Sequence, residues 1–266
     1  MQGKNRSDAG KKQIYYTRTY RHLKLEPVPY IVFLLLLIVP AVILLCLFYD
    51  ELTLAMTQGA AWVMHQAGGP EAEIGAGAFL PQLGPVYYLD FPTVLPPPVF
   101  VLGNLAVMLG VSWLLCTGWR KNRPISVYLL IVTFIHVISC VFFLLGPEQF
   151  PYTVADFSDL YMKQQVGIWI TFLVLMGLVM GLVRGSFFWR VLTVVTLMVY
   201  SLAFGFVRYV LFLAVLHFFS VLYMPLMFFA LGPFFDFLYF VAIYAIATDG
   251  VIRRYDSRMK GEWLWA

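Results

Sequence analysis

The chain has 266 residues, of which 61% are hydrophobic and only 12% are charged, and its mean hydropathy is +0.82. Soluble domains contain about 45–50% apolar and about 25% charged residues, so the composition excludes a soluble protein with a single membrane anchor. Several apolar runs reach about 20 residues, the length that crosses a bilayer, and they lack the alternation of a membrane β-barrel. The composition therefore predicts an all-α, polytopic integral membrane protein.

The net charge of +4 does not indicate a nucleic-acid partner, because the basic residues lie beside apolar runs, where they set membrane topology. Three cysteines, Cys46, Cys116 and Cys140, fall inside predicted spans and form no CxxC motif. We expect them to be small buried apolar residues rather than a disulfide or zinc site. The four histidines are scattered, and no P-loop, GxGxxG or HExxH motif occurs, so we expect neither a metal nor a cofactor.

Residues 1–28 form a basic tail, whose segment 13–27 either lies along lipid headgroups or is simply solvated. The first membrane helix is predicted over 30–49, with a kink at Pro40. The basic region before it is long and no small-residue cleavage site follows it, so we predict a retained helix and not a signal peptide.

The first outer loop, 50–97, carries five acidic residues and no Lys or Arg. We predict a short amphipathic helix at its start and a Pro-rich irregular segment after it. A loop of this length is more often functional than a mere connector.

Four further helices follow the first outer loop in chain order. They are predicted over 99–117 and 126–145, over 166–183 after a second acidic outer loop at 146–165, and from Trp189 onward. A last helix returns near Gly250 to a basic tail, 251–266. The apolar stretch 187–250 exceeds two spans, so 217–232 forms an outward extension, an interfacial helix or a re-entrant segment.

The basic residues define the topology. The two tails and the turns at 118–124 and 184–190 together hold 16 of the 18 Lys and Arg residues. The positive-inside rule places these four segments in the cytoplasm, which requires an even number of crossings. We predict six spans within residues 29–250, with both termini cytoplasmic, in what we expect to be a prokaryotic inner membrane.

Arg208 and Asp236 are charged residues inside predicted spans. At 1.5 Å per residue, Arg208 lies about 27 Å above the inner surface on the fifth helix, and Asp236 about 25 Å above it on the sixth. A charge in hydrocarbon is costly unless it is paired or reaches the interface. Pairing of the two residues explains both; the alternatives are that Arg208 reaches lipid headgroups or contacts a substrate.

Three more polar residues lie in predicted spans. His217 is nine residues from Arg208, so on a continuous helix it points to the opposite side, and we expect a structural role. His136 and Asn104 face the bundle interior, where they either line a pathway or form interhelical hydrogen bonds.

Two surfaces suggest contacts with other helices or molecules. Gly177, Gly181 and Gly185 are spaced four apart and predict close approach of another helix, from this chain or from a different one. The outer loops combine acidic and aromatic residues, which suit a partner protein or a cationic or sugar-bearing ligand, or are simply solvated; the candidates are Asp90, Asp156, Asp159, Tyr87 and Tyr88.

We interpret the chain as a non-catalytic multi-pass subunit of a larger envelope assembly, such as export, secretion or polysaccharide machinery, with the bilayer and other membrane subunits as partners. One alternative is a transporter or lipid-handling protein with a path along Arg208, Asp236, His136 and Asn104. The other is an enzyme acting on a lipid-linked substrate at the outer leaflet. A thiol-dependent acyl transfer is disfavoured, because neither Cys46 nor Cys140 follows a helix N-terminus or adjoins a base in sequence.

Overall fold

The structure is a computed structural model that describes residues 27–80, 83–117, 124–183 and 186–258. Within these ranges six helical segments are long and apolar enough to cross a membrane, which confirms the all-α polytopic class. Five of them are α1 Pro27–Gln66, α2 Pro98–Thr117, α3 Pro124–Leu145, α4 Val154–Leu182 and α5 Phe187–Phe218. The sixth is Val221–Val251, most of which belongs to the helix α6, Gly232–Arg258.

Helix α1 is far longer than the sequence predicted. The predicted break after Tyr49 is wrong, because the helix continues to Gln66 through a segment with several Ala, Leu, Met and Gln residues, all favourable helix formers. Its 40 residues span about 60 Å, twice the hydrocarbon thickness of a bilayer. Its second half therefore extends beyond any membrane that its first half crosses. A π-helical turn, Leu34–Ile38, precedes Pro40, the residue predicted to kink this helix.

A β-hairpin packs beside the extended half of α1. Strand β1, Glu73–Ala78, pairs antiparallel with β2, Pro85–Asp90, so the prediction of an irregular loop is wrong here. Gly and Ala make up most of β1 and have low strand propensity, which hid the strand from sequence reasoning. The hairpin is stabilised by contacts of β2 with α1 and α4.

Helix α4 begins twelve residues earlier than predicted, so the second half of the predicted loop 146–165 is helical. Thr153 and Asp156 form a capping box, in which the Thr153 side chain accepts a hydrogen bond from the Asp156 amide and the Asp156 carboxylate accepts one from the Thr153 amide. This cap satisfies amide groups at a helix start, and it fixes the N-terminus well before the apolar run begins. Before it, 146–153 contains one short 3-10 turn, Pro147–Gln149.

The last span is distorted along its first third. Helix α5 ends at Phe218, and Ser220 caps the 3-10 turn Val221–Tyr223, which leads into the α-turn Met224–Leu226, the π-turn Met227–Leu231 and then α6. Residues 221–231, which lie within the predicted extra segment 217–232, are therefore the first part of the sixth span and not a separate helix. Prolines at 225 and 233 remove backbone donors, and this accounts for the irregular turns. Helix α6 itself extends to Arg258, inside the predicted C-terminal tail.

Helix α4 is the centre of the bundle. It contacts α1, α5, α6 and both strands, and 44% of its most apolar window is buried. Helix α2 is the least buried of the six segments: only 6% of its most apolar stretch is buried, and most of its contacts are with α3. Side chains that share a buried environment with Arg208 are therefore expected on α4, and three of its residues, Ser158, Tyr161 and Gln165, belong to the network around it.

Candidate functional site

Arg208 on α5 lies at the centre of a buried polar network, with its side chain 4% exposed. Its Nε donates to the Tyr161 hydroxyl at 3.0 Å, and its Nη2 donates to Oε1 of Gln165 at 2.8 Å. Its Nη1 donates to the Gly232 carbonyl at 2.8 Å and lies 2.8 Å from Oδ2 of Asp236. Three hydrogen-bond acceptors and the ion-paired carboxylate of Asp236 thus surround a guanidinium group that carries five N–H donors.

The predicted contact between Arg208 and Asp236 is therefore present in the structure, and both side chains are sealed from solvent at 4% and 3% exposure. Asp236 is the fifth residue of α6, and Gly232 is the residue at which that helix begins. Through its contacts with Asp236 and the Gly232 carbonyl, Arg208 connects α5 to the start of α6. The guanidinium also lies over the rings of Tyr161 and Phe204, 5.4 and 5.7 Å from their centroids, which adds cation–π stabilisation.

Buried hydroxyl groups extend the network from Arg208 to the β-hairpin. The Tyr161 hydroxyl donates to the Gly205 carbonyl at 2.9 Å, and the Tyr161 ring stacks on Tyr209 at 5.1 Å. The Tyr209 hydroxyl lies 2.5 Å from Oγ of Ser158, and both oxygens accept from the Leu89 amide of β2, at 3.0 and 3.2 Å. The hairpin is thereby tied to α4 and α5 by hydrogen bonds inside the core.

Sequence reasoning missed most of this network. The predicted loop 146–165 includes Ser158, Tyr161 and Gln165, although their spacing of three and four residues places them on one helix face. Recognition of the cap at Thr153 would have extended α4 back over all three. Gly205 gives Gln165 its space, since a Cβ at Gly205 would lie 2.7 Å from Nε2 of the glutamine.

A second polar cluster joins α2 and α3 to the start of the sixth span. Asn104 receives a hydrogen bond from the Tyr223 hydroxyl at 2.7 Å and donates to the Phe100 carbonyl at 2.9 Å, so it forms an interhelical hydrogen bond, one of the two roles predicted for it. The His136 ring stacks on Tyr223 at 4.9 Å, but neither of its nitrogens has a hydrogen-bond partner within the described ranges. Cys140, one turn beyond His136, is fully buried.

The structure keeps His217 apart from the Arg208 network. Its ring contacts the edges of Phe91 and Phe218, with centroids 5.9 and 4.7 Å away. Cys46 is half-buried and Cys116 is exposed, and both are free thiols. The described contacts of Arg208 include no cysteine and no histidine, so they do not assemble a thiol-dependent active site.

The glycine face of α4 packs against α1 of the same chain. A Cβ at Gly177 would clash with the Ile38 side chain, and one at Gly181 would clash with the Tyr30 ring. The close approach predicted for these glycines is therefore an internal contact. Gly185 lies outside the described residues.

The outer-loop candidates do not converge on one site. Asp156 caps α4, Asp159 pairs with Lys163 at 2.5 Å, and the Tyr88 ring covers Gly75. The Tyr87 backbone bonds α1: its carbonyl accepts from Thr57 at 3.0 Å and its amide donates to Thr53 at 3.3 Å. Of the five candidates, only Asp90 lines the polar cleft of about 630 Å³ at the open end of the hairpin. The other residues that line this cleft are Glu71, Ala72, Glu73, Phe91, Pro92, Thr93, Thr153 and Ala155.

The arrangement is suited to holding elements together rather than to binding a ligand at Arg208. Each of the three guanidinium nitrogens already donates to an acceptor of the chain, so an anion would have to displace Asp236 or Gln165 to reach the group. A group of three or more His, Cys, Asp or Glu side chains able to hold a metal is not found among the described residues. No protein-family model matches the chain, and neither a curated protein nor a solved structure matches it significantly.

Proposed function

We propose that the chain is a non-catalytic multi-pass subunit of a larger envelope assembly, of the export, secretion or polysaccharide type, in a prokaryotic plasma membrane. The observation that carries the proposal is the hairpin platform, which comprises β1, β2 and the half of α1 beyond Asp50. It is a small structured unit outside the apolar spans, and it is attached to the bundle by buried polar contacts. Such a rigid unit is suited to presenting a surface to another protein.

Hydrogen bonds to the backbone of β2 make the platform rigid. Thr53 and Thr57 of α1 bond Tyr87, and Ser158 and Tyr209 bond Leu89. The Tyr49 hydroxyl donates to the Gly84 carbonyl on the connection between the strands. Buried hydrogen bonds of this kind are costly to break, since each lost partner leaves a desolvated polar group.

The sealed Arg208 network also favours a structural role. Residues that move a substrate need access from at least one side of the membrane, whereas the ion pair is almost fully buried. The transporter alternative requires this pair to open during each cycle. The enzyme alternative lacks a nucleophile among the groups that contact Arg208. A scaffold needs neither access from one side of the membrane nor a nucleophile.

The proposed orientation places both termini in the cytoplasm and the hairpin platform on the opposite side. It follows from the positive-inside distribution of basic residues together with six spans. Reporter fusions test it: a cytoplasmic reporter is expected to be active at both ends of the chain, and an export-dependent reporter inserted after Gly68 is expected to be active as well. Termini on opposite sides would contradict the topology.

Copurification tests the proposed function directly. The tagged chain, expressed at its native level and extracted in a mild detergent, is expected to elute with other membrane chains in fixed stoichiometry. An unrelated tagged multi-pass protein purified in parallel identifies chains that bind the tag or the resin. A well-folded chain that elutes alone, at the mass of one or more copies of itself, would contradict the proposal.

A further inference from the structure

The hairpin has two strands and therefore two outer edges, which differ in how their backbone groups are used. On β2, the amides of Tyr87 and Leu89 point away from β1, because both donate to side chains of the helices. In an antiparallel pair, residues directly opposite one another share this orientation. The register pairs Leu89 with Ile74, Tyr87 with Ala76 and Pro85 with Ala78. The backbone groups of these β1 residues consequently point outward.

The β2 edge is covered and the β1 edge is open. Thr53, Thr57, Ser158 and Tyr209 occupy the outward groups of β2. None of the hydrogen bonds found within the described ranges reaches the outward amides or carbonyls of Ile74, Ala76 and Ala78. The side chains of these three residues are exposed as well, Ile74 by 44%.

An open edge is usually protected, and β1 has few of the protective features. Natural edge strands carry Lys or Pro, contain bulges, or are very short. The segment Glu73–Ala78 contains neither Lys nor Pro and pairs with β2 in an unbroken register of six residues. The exposed side chains of Ala76 and Ala78 are small and leave room for a neighbouring strand. These are the properties of a strand that receives a further strand by β-augmentation.

The charge near this edge indicates what kind of strand it receives. Glu73 lies directly opposite Asp90 in the register, and Glu71 lines the same cleft. Like charges opposite one another are destabilising unless a cation lies between them. Residues 50–97 contain no Lys or Arg, so the hairpin of a second copy would bring only further acidic groups. A basic segment from a different chain provides the complementary charge.

We propose that the outer edge of β1 pairs with an extended segment of a partner protein, and that a Lys or Arg of this segment occupies the cleft between Glu71, Glu73 and Asp90. Backbone hydrogen bonds to Ile74, Ala76 and Ala78 supply the pairing, and the acidic cleft selects a basic segment. The inference rests on the proposed function, because it assigns the surface through which the subunit binds a partner on the hairpin side.

The first pair of variants tests whether the outward amide of Ala76 is needed for the pairing. Ala76→Pro removes an outward amide at an edge position, where proline is tolerated, whereas Ala76→Val keeps the amide at the same exposed site. A photo-crosslinking amino acid at position 74 reports the neighbouring chain in the extracted complex. With Ala76→Pro we expect the crosslinked fraction to fall about tenfold, and with Ala76→Val we expect it to stay unchanged.

A second pair of variants tests the charge. Glu73→Lys is expected to reduce crosslinking by a similar factor, and Glu73→Gln by less, because the reversed charge repels a basic segment. Mass spectrometry of the crosslinked peptide is expected to identify a segment with Lys or Arg. Limited proteolysis of each variant verifies that the hairpin is intact, and Glu73→Lys provides the test if Ala76→Pro unfolds it.

A direct binding measurement uses the purified full chain in detergent with a short peptide of alternating valine and lysine. We expect it to bind about tenfold more weakly to Ala76→Pro than to Ala76→Val, and a valine–glutamate peptide not to bind. Equal binding to Ala76→Pro and Ala76→Val, or a crosslink to lipid or to a second copy, would overturn the proposal. If other chains copurify and crosslinking is insensitive to Ala76→Pro, only the edge inference fails; if none copurifies, the proposed function fails.

Discussion

Arg208→Ala is expected to lower the free energy of unfolding by about 3–5 kcal/mol, since loss of one partner leaves a buried charge uncompensated. The variant strands the carboxylate of Asp236 and leaves the Gly232 carbonyl and Oε1 of Gln165 without their donor. The Tyr161 hydroxyl keeps its bond to Gly205, so the hairpin side of the network is affected less.

The double variant Arg208→Ala with Asp236→Ala is expected to be more stable than Arg208→Ala alone, because it also removes the stranded carboxylate. A double-mutant cycle by reversible unfolding in mixed micelles measures this, and we expect a coupling energy of about 1–3 kcal/mol. Additive losses in the cycle would contradict a direct contact between the two side chains.

The pair formed by Lys163 and Asp159 serves as the matched control for that cycle. Its side chains are 25% and 21% exposed and lie four residues apart on α4. Ion pairs of this kind contribute about 0.3–0.5 kcal/mol on helices, so the same cycle on this pair is expected to give a small coupling energy. A coupling as large as that of the buried pair would mean that the micelle measurement reports net charge and not contact.

Gly177→Ala is expected to destabilise the bundle by about 1–3 kcal/mol, the usual cost of overpacking a well-packed interface. The added methyl group would clash with the Ile38 side chain of α1, so this side chain or one of the two helices would have to shift. Thermal unfolding in detergent measures the loss as a lower Tm.

Gly167→Ala is the matched control, because Gly167 lies on the same helix and nothing lies within 4 Å of a Cβ built there. Alanine has the higher helix propensity, so this variant is expected to be neutral or to stabilise by up to about 1 kcal/mol. A similar Tm for the two variants would show that the approach of α1 to α4 is not as close as described.

Several features of this protein could be predicted from local sequence alone. The bounds of α2 and α3 agree with the prediction within two residues, because each is an apolar run that ends at a basic turn or a Gly-Pro pair. The distance of each residue from the inner surface, calculated from the constant rise per residue, places Arg208 and Asp236 at similar depths on neighbouring antiparallel helices. Local composition is therefore sufficient to predict where these two membrane-spanning helices begin and end.

The predictions failed where tertiary contacts override composition. The polar half of α1 resembles an independent surface helix in sequence, but in the structure it continues the first span and holds the hairpin through Thr53 and Thr57. The Gly-Ala strand β1 has little strand propensity of its own and forms because Pro85–Asp90 is held by the bundle. In both cases the stabilising partner is distant in sequence, so a short stretch of sequence does not predict the element.

The sequence by itself determined the membrane class and the number of spans, and it favoured pairing of the two intramembrane charges, because an unpaired charge in hydrocarbon is costly. The tertiary structure alone decided that Tyr161, Gln165 and Gly232 share Arg208, that Gly177 and Gly181 face α1, and which edge of the hairpin is covered. Those outcomes depend on which helix faces meet, and a helix face acquires a neighbour only when the whole bundle is assembled.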